Sequence, residues 1–150
     1  MKRDTLQSGH SELIPESIGC GTCSLRPLVA GDIDELLSLL AEDEVAEYIA
    51  RGEGYAQVLV DENLAGEAVN MAITDENAEF AGFVSAVPVI NCYPAMPRWN
   101  VEFAVSEKFR GRGFATAAVA GFCRFLLQIF AIPRVVADIC DADKGAIRVI

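Results

Sequence analysis

Apolar residues follow one period in the first part of this chain and another in its middle. After the turn Ala30-Gly31-Asp32, residues Ile33, Leu36, Leu37, Leu39 and Leu40 recur at helical spacing, with Asp32 placed to cap the helix. A second helical piece runs from Glu44 to Ala50. Arg51-Gly52-Glu53-Gly54 breaks it, and Tyr55 to about Leu64 is helical again. From Val69 the period becomes two. Val69, Met71 and Ile73 alternate with Asn70, Ala72 and Thr74, the turn Asp75-Glu76-Asn77 follows, and Phe80 to Val87 returns as a strand that Pro88 should stop. Trp99, Val101, Phe103 and Val105 alternate with Asn100, Glu102, Ala104 and Ser106 in a further strand. Residues 91–98 form a loop before it. Upstream, residues 1–19 are polar, with a short strand or turn around Ile14 and Ile18, and Cys23 to Leu28 is a short strand cut by Pro27. Helices followed by consecutive antiparallel strands predict an α/β domain over 23–150 behind a leader, 1–22.

The apolar stretch 113–132 has the length of a membrane span. Arg124 and Gln128 lie four apart on one helical stripe, with Thr116 near it, and a central arginine is costly in lipid. A helix buried against a sheet fits better, so no membrane association is expected. Pro133 ends the stretch, Arg134 to Cys140 is a β-branched strand, and Asp141-Ala142-Asp143 opens a final helix.

Length and charge sharpen this picture. The chain has 150 residues, 52% of them hydrophobic, and a net charge of −10, which suits one folded domain and excludes an intrinsically disordered chain or a generic nucleic-acid binder. The charge is uneven. Residues 32–79 sum to −13, whereas residues 98–134 sum to +4. Solvated acidic helices explain the first number; a pair of regions that meet oppositely charged ligands explains both. The five cysteines are odd in number and several stand among apolar residues, as in a reducing compartment such as the cytoplasm. Cys20-Gly21-Thr22-Cys23 has the spacing of half a zinc site or a redox pair. No second pair accompanies it and His10 is the one histidine, so no metal is expected.

The chemistry concentrates in one unit: a strand ending at Val105, the basic glycine loop Arg110-Gly111-Arg112-Gly113, then a helix. Glycines let backbone approach a ligand closely, and the amides at a helix start favour negative charge. Arg110 and Arg112 add formal charge, so a pyrophosphate is the expected guest. A P-loop needs Gly-Lys-Ser/Thr, which is absent. A dinucleotide fold needs its glycines directly after the strand and a third one where Thr116 stands; Asp138 keeps that option weakly open.

Arg110-Gly111-Arg112-Gly113-Phe114-Ala115, with the strand Val101–Val105 before it, resembles the Gln/Arg-x-x-Gly-x-Gly/Ala motif of the GNAT superfamily of acyl-CoA-dependent N-acetyltransferases. Leu25-Arg26-Pro27-Leu28, Asp32 and Glu44–Ile49 are similar to the branch that includes the ribosomal-protein N-terminal acetyltransferases. The resemblance implies a mixed, mostly antiparallel sheet flanked by helices, with its central strands, here Trp99–Val105 and Arg134–Cys140, splayed apart to admit acetyl-CoA as co-substrate. It implies that Arg110, Gly111, Arg112, Gly113, Phe114, Ala115 and Thr116 hold the pyrophosphate. Pantetheine would lie along Phe103, Ala104 and Val105. An amine acceptor, whether a peptide N-terminus, an amino acid or a small amine, would attack the thioester directly. The acidic residues of the first helices and the Arg51–Gly54 loop would face that acceptor.

Such a reaction needs a base. Glu102 alternates away from Trp99, Val101 and Phe103 and precedes the pantetheine segment, which makes it the first candidate; a purely structural carboxylate is the competing reading, and Asp138 and Asp141 are the next candidates. The chain departs from the family pattern at Asp143, where Asn is usual, at Ala146, where Ser is usual, and at Ile150, where many members carry a tyrosine acid. The family normally continues with two more strands. A chain lacking them would leave the Arg134–Cys140 strand with an unpaired edge, open to a second copy in a homo-oligomer. These departures support an alternative function, a non-catalytic CoA-binding or interaction module.

Overall fold

The alternating segments pair into a meander. In the computed structural model, which describes residues 14–48, 54–89, 98–129, 134–137 and 144–149, the strands β1 (Ile18–Gly19), β2 (Ser24–Pro27), β3 (Val69–Thr74), β4 (Phe80–Val89), β5 (Arg98–Val105) and β6 (Val135–Val136) form one sheet in sequence order. Every neighbouring pair is antiparallel except β5 and β6, which are parallel. The helices are α1 (Ile33–Leu40), α2 (Asp43–Tyr48), α3 (Tyr55–Ala65), α4 (Phe114–Ile129) and α5 (Lys144–Val149).

The sheet is covered on both faces. Leu25, Val69, Met71, Val84, Trp99 and Val101 face α4 and meet Phe114, Ala118, Phe122 and Leu126. Ala72, Phe83 and Ala104 face the other way, toward Leu36 and Leu39 of α1 and Ala56, Leu59 and Val60 of α3. This explains why the whole of β3 is buried although its sequence alternates apolar and polar. Asn70, fully buried, donates to the Leu59 carbonyl at 2.7 Å, and its backbone N–H donates to Asn63 Oδ1 at 3.0 Å. Phe122 and Leu126 are fully buried, so truncating Phe122 to Ala costs about 3–5 kcal/mol. Thr116, Arg124 and Gln128 line the exposed side of α4, the stripe read from the sequence. Among the described residues no helix is long and apolar enough to cross a membrane.

Several sequence expectations are corrected. Pro88 does not stop β4, which continues to Val89. The reason lies in the pairing: β3 begins opposite Ala86, so beyond it β4 has one neighbour. Pro88 stands opposite Trp99, whose own N–H turns to the Arg134 carbonyl at 3.1 Å. The missing N–H of Pro88 therefore faces away from β5, where no ladder needs it. Asp32 does not cap α1 through its side chain. Its carboxylate accepts both guanidinium nitrogens of Arg26 at 2.8 Å and the Val29 N–H at 3.0 Å, because Arg26 on β2 reaches it first. The short strand expected around Ile18, by contrast, is present: Ile18 pairs with Leu25. The strand expected over Arg134–Cys140 is strand only at Val135–Val136 among the described residues, and 138–143, with Asp138, Cys140, Asp141 and Asp143, lie outside them, as do Cys92, Arg51 and Ile150.

Cys20 and Cys23 are free thiols at the β1–β2 turn, closed by the Cys20 N–H on the Cys23 carbonyl at 2.8 Å. The Cys23 thiol donates to the carbonyl of Phe114, the first residue of α4, at 3.7 Å. Its pKa is pushed up to about 11, first by burial and then by the neighbouring Cys20. Cys20 sits against Gly121, where an added Cβ would lie 2.6 Å from its sulfur. These residues serve the packing of α4 on the sheet.

Candidate active site

Among the described residues, strand β5 has two partners for only part of its length. Trp99 and Asn100 pair with Val135 and Val136, and the described pairing with β6 ends there. On the other side β4 accompanies β5 to its end, Gly82 opposite Val105. This approach is so close that a Cβ on Gly82 would lie 2.1 Å from the Ala104 carbonyl oxygen, so only glycine fits. Backbone groups alternate along a strand. The Trp99 N–H points toward β6 and the Ser106 N–H points to Ala81 of β4, so the peptide groups of Phe103 and Val105 face the side beyond the last β6 pair. That of Ala104 joins the ladder with β4, and its side chain is buried in the α1–α3 layer. Of the residues expected along pantetheine, Phe103 and Val105 thus offer backbone to the opened side and Ala104 does not.

The turn after β5, Glu107–Phe109, delivers the chain to the glycine loop. Gly111 and Gly113 adopt φ of +80° and +76°, and nothing lies within 4 Å of a Cβ built on either. Left-handed backbone at both positions favours glycine and leaves the loop open to an approaching group. Among the described residues no backbone hydrogen bond claims the amides of 111–116, and Phe114, Ala115 and Thr116 begin α4, where the dipole favours an anion. Phe114 is buried and stacks on Phe109 with ring centroids 6.0 Å apart, so it anchors the loop by its side chain. The Arg112 guanidinium lies over both rings, at 5.4 Å and 5.9 Å. Arg110 is placed differently: its Nε donates to the Val105 carbonyl at 3.2 Å and its Nη2 to Glu42 at 3.3 Å. Thr116 is exposed on the first turn of the helix.

Glu102 stands on the α1–α3 face of β5, as the alternation requires. There it meets a residue from a distant part of the chain. The Tyr55 hydroxyl, at the start of α3, donates to Glu102 Oε1 at 2.6 Å, and the Tyr55 ring packs edge-on against Phe83. Both line a pocket of about 390 Å³ with Leu59, Glu62, Ser85 and Asn100, a volume suited to a small ligand or a peptide end. Its ionisable lining is acidic. Burial, and then the nearby Glu67, push the Glu62 carboxyl above its ordinary value. Of the acidic residues expected to face an acceptor, Glu62 lines this pocket, whereas Glu42 is turned to Ser106, Glu107 and Arg110. Tyr55 and Glu102 are 47 positions apart, and no local pattern could have joined them.

The unclaimed amides at the start of α4, with the part of β5 beyond its last described β6 pair, fit an anionic group that carries an extended arm. The fold is similar to solved acetyltransferases at low identity. Mycobacterium smegmatis RimJ, solved with CoA-disulfide, aligns over 91% of this chain and 74% of its own, at 18% identity and a TM-score of 0.74. The ribosomal-protein-S5-alanine acetyltransferase of Vibrio fischeri aligns over 89% and 79%, at 16% identity and 0.72. Spermidine N-acetyltransferase of Vibrio cholerae, solved with CoA and spermine, aligns over 85% and 77%, at 13% identity and 0.71. No curated protein sequence matches the chain. The family described as acetyltransferase (GNAT) domain matches residues 23–150. Because that match takes in strand β5, the glycine loop and both helical layers, the chain belongs to the GNAT acetyltransferases.

Proposed function

We propose that this chain transfers the acetyl group of acetyl-CoA to a primary amine, with the Glu102 pocket as the acceptor site. The observation that carries this reading is the position of Glu102: its carboxylate lines an acidic pocket, and the next residue, Phe103, offers its peptide group to the opened side of β5. The amides of 111–116 would hold the pyrophosphate, with Arg112 beside them, and the backbone of Phe103 and Val105 would meet the arm. Acetyl-CoA supplies the thioester. Glu102 accepts a proton from the incoming ammonium, Tyr55 fixes the carboxylate that does so, and a β5 amide donates to the carbonyl oxygen as charge develops on it. The C–N bond forms as the C–S bond breaks, and the thiol leaves with a proton.

A cationic acceptor suits an acidic pocket, and the relatives named for a ribosomal-protein alanine and for spermidine are both amine acetyltransferases. Peptide N-termini, amino acids and small amines therefore remain the acceptor classes to assay. The free thiols and the CoA requirement fit a cytoplasmic setting. Thiol release from acetyl-CoA, followed against a panel of such amines, tests the proposal. Binding of CoA without release for any amine would reduce the chain to a binding module.

A further inference from the structure

Glu42 is the acidic residue whose place in the fold the acceptor reading does not explain. It lies at the corner between α1 and α2, and both helices fix its backbone: its N–H donates to the Leu39 carbonyl at 3.1 Å and its carbonyl accepts from Ala46 at 2.8 Å. Leu39 and Val45 on either side are buried, so the corner is anchored in the core. From there the carboxylate reaches across 64–68 positions of sequence to one short stretch. Oε2 accepts from the Ser106 hydroxyl at 2.7 Å; Oε1 accepts from the Glu107 N–H at 2.8 Å and from Arg110 Nη2 at 3.3 Å.

These donors are the chain segment that joins β5 to the glycine loop. Its root is pinned to β4 by the Ser106 N–H on Ala81, and its far end by the buried Phe109. The glycines beyond it are exposed and left-handed, the residues least able to hold a conformation by themselves. A loop whose amides must all converge on one anion gains affinity from being ordered beforehand. A carboxylate beside an anion site would ordinarily weaken it, and here Arg110 and two neutral donors offset its charge.

We infer that Glu42 is a positioning residue for the cofactor loop, through which the α1–α2 corner holds residues 106–110 in the geometry that presents the amides of 111–116. This rests on the reading of that loop as the CoA site. Glu42→Ala should weaken CoA binding by calorimetry, and raise the acetyl-CoA KM, about tenfold, while kcat at saturation stays within about twofold. Glu42→Gln, which keeps an acceptor oxygen for the Glu107 N–H and an amide NH2 that the Ser106 hydroxyl can accept from, should recover most of the affinity, whereas a control at the exposed Glu76, Glu76→Ala, should change nothing. A second readout needs no cofactor. Trypsin cleavage after Arg110 and Arg112 in the unliganded protein should quicken about tenfold in Glu42→Ala, since cleavage follows local opening. Should Glu42→Ala fail to fold, Glu42→Gln and Ser106→Ala, each expected to show a smaller increase of the same sign, carry the test. If the wild-type protein binds no CoA, the CoA reading falls and the cleavage rates alone decide the role of Glu42. Unchanged cleavage, or unchanged CoA affinity in a folded Glu42→Ala protein, overturns the inference.

Discussion

The Glu102 pocket and the glycine loop are built from different parts of the chain's chemistry. The pocket is made of side chains: Tyr55, Glu62, Ser85, Asn100 and Glu102 converge on it from α3, β4 and β5. The loop is made of backbone: its donors are the amides of 111–116, and its side chains either anchor it, as Phe114 does, or brace it, as Arg110 does. A side-chain site changes with one substitution, whereas a backbone site changes only when the conformation does. The two regions also differ in charge, acidic for the pocket and basic for the loop, and the strand β5 runs between them.

The largest expected effect breaks both regions at once. Gly82→Val places a side chain where the Ala104 carbonyl already lies, at 2.1 Å, and should separate β4 from β5. A thermal melt should show loss of cooperative unfolding or a fall in stability of more than about 4 kcal/mol, beyond the range of ordinary substitutions. The next effect separates the regions. Glu102→Gln should lower kcat about a hundredfold or more, the scale of general-base catalysis, with CoA affinity by calorimetry unchanged. Equal turnover would assign the base elsewhere. In the opposite sense, Gly113→Val forces a branched side chain to a φ of +76°. Its strain of about 1–3 kcal/mol should appear as weaker CoA binding, with the chemistry at saturation retained.

Smaller effects sharpen the comparison. Tyr55→Phe keeps the ring contact with Phe83 and removes the hydroxyl at Glu102, a bond to a carboxylate worth about 1.5–3 kcal/mol. Its loss should appear in kcat/KM for the amine and leave the acetyl-CoA KM alone. The gentlest test lies outside both regions. Burial raises the Asp32 carboxyl, but the Arg26 hydrogen bonds and the Val29 N–H outweigh burial and hold it below its ordinary 3.8. A carboxyl depressed by folding stabilises the native state above its unfolded pKa, and that contribution is lost as pH falls through the folded value. Unfolding free energy should therefore decline below about pH 4, and Asp32→Asn should flatten that decline without touching CoA affinity.

What the sequence disclosed follows the same division. Periodicity located β3, β5, α1, α3 and α4, and the loop glycines were legible because backbone geometry limits which residues can stand there. The position of Glu102 on its face followed from a period of two. The side-chain partners were not legible. Tyr55 reaches Glu102, and Glu42 reaches Ser106, only because α1–α3 fold over the sheet, and no local rule encodes contacts across such spans. Pro88 misled for a similar reason: whether a proline ends a strand depends on which neighbours that strand has. The Asp32 carboxylate, which a local rule makes a helix cap, takes a guanidinium from another element.

Cys23 makes the docking of α4 chemically visible. The residue is 4% exposed, its thiol pKa is pushed up to about 11 by burial and by Cys20, and the thiol donates to the carbonyl from which α4 departs. Thiolate is the reactive form, so the folded protein should shield this sulfur from alkylating agents, and labelling at Cys23 should keep time with the lifting of the helix from the sheet. The chain thus carries its own clock for the opening of the element that begins at the glycine loop. A CoA that orders the loop should slow that clock, with no probe attached.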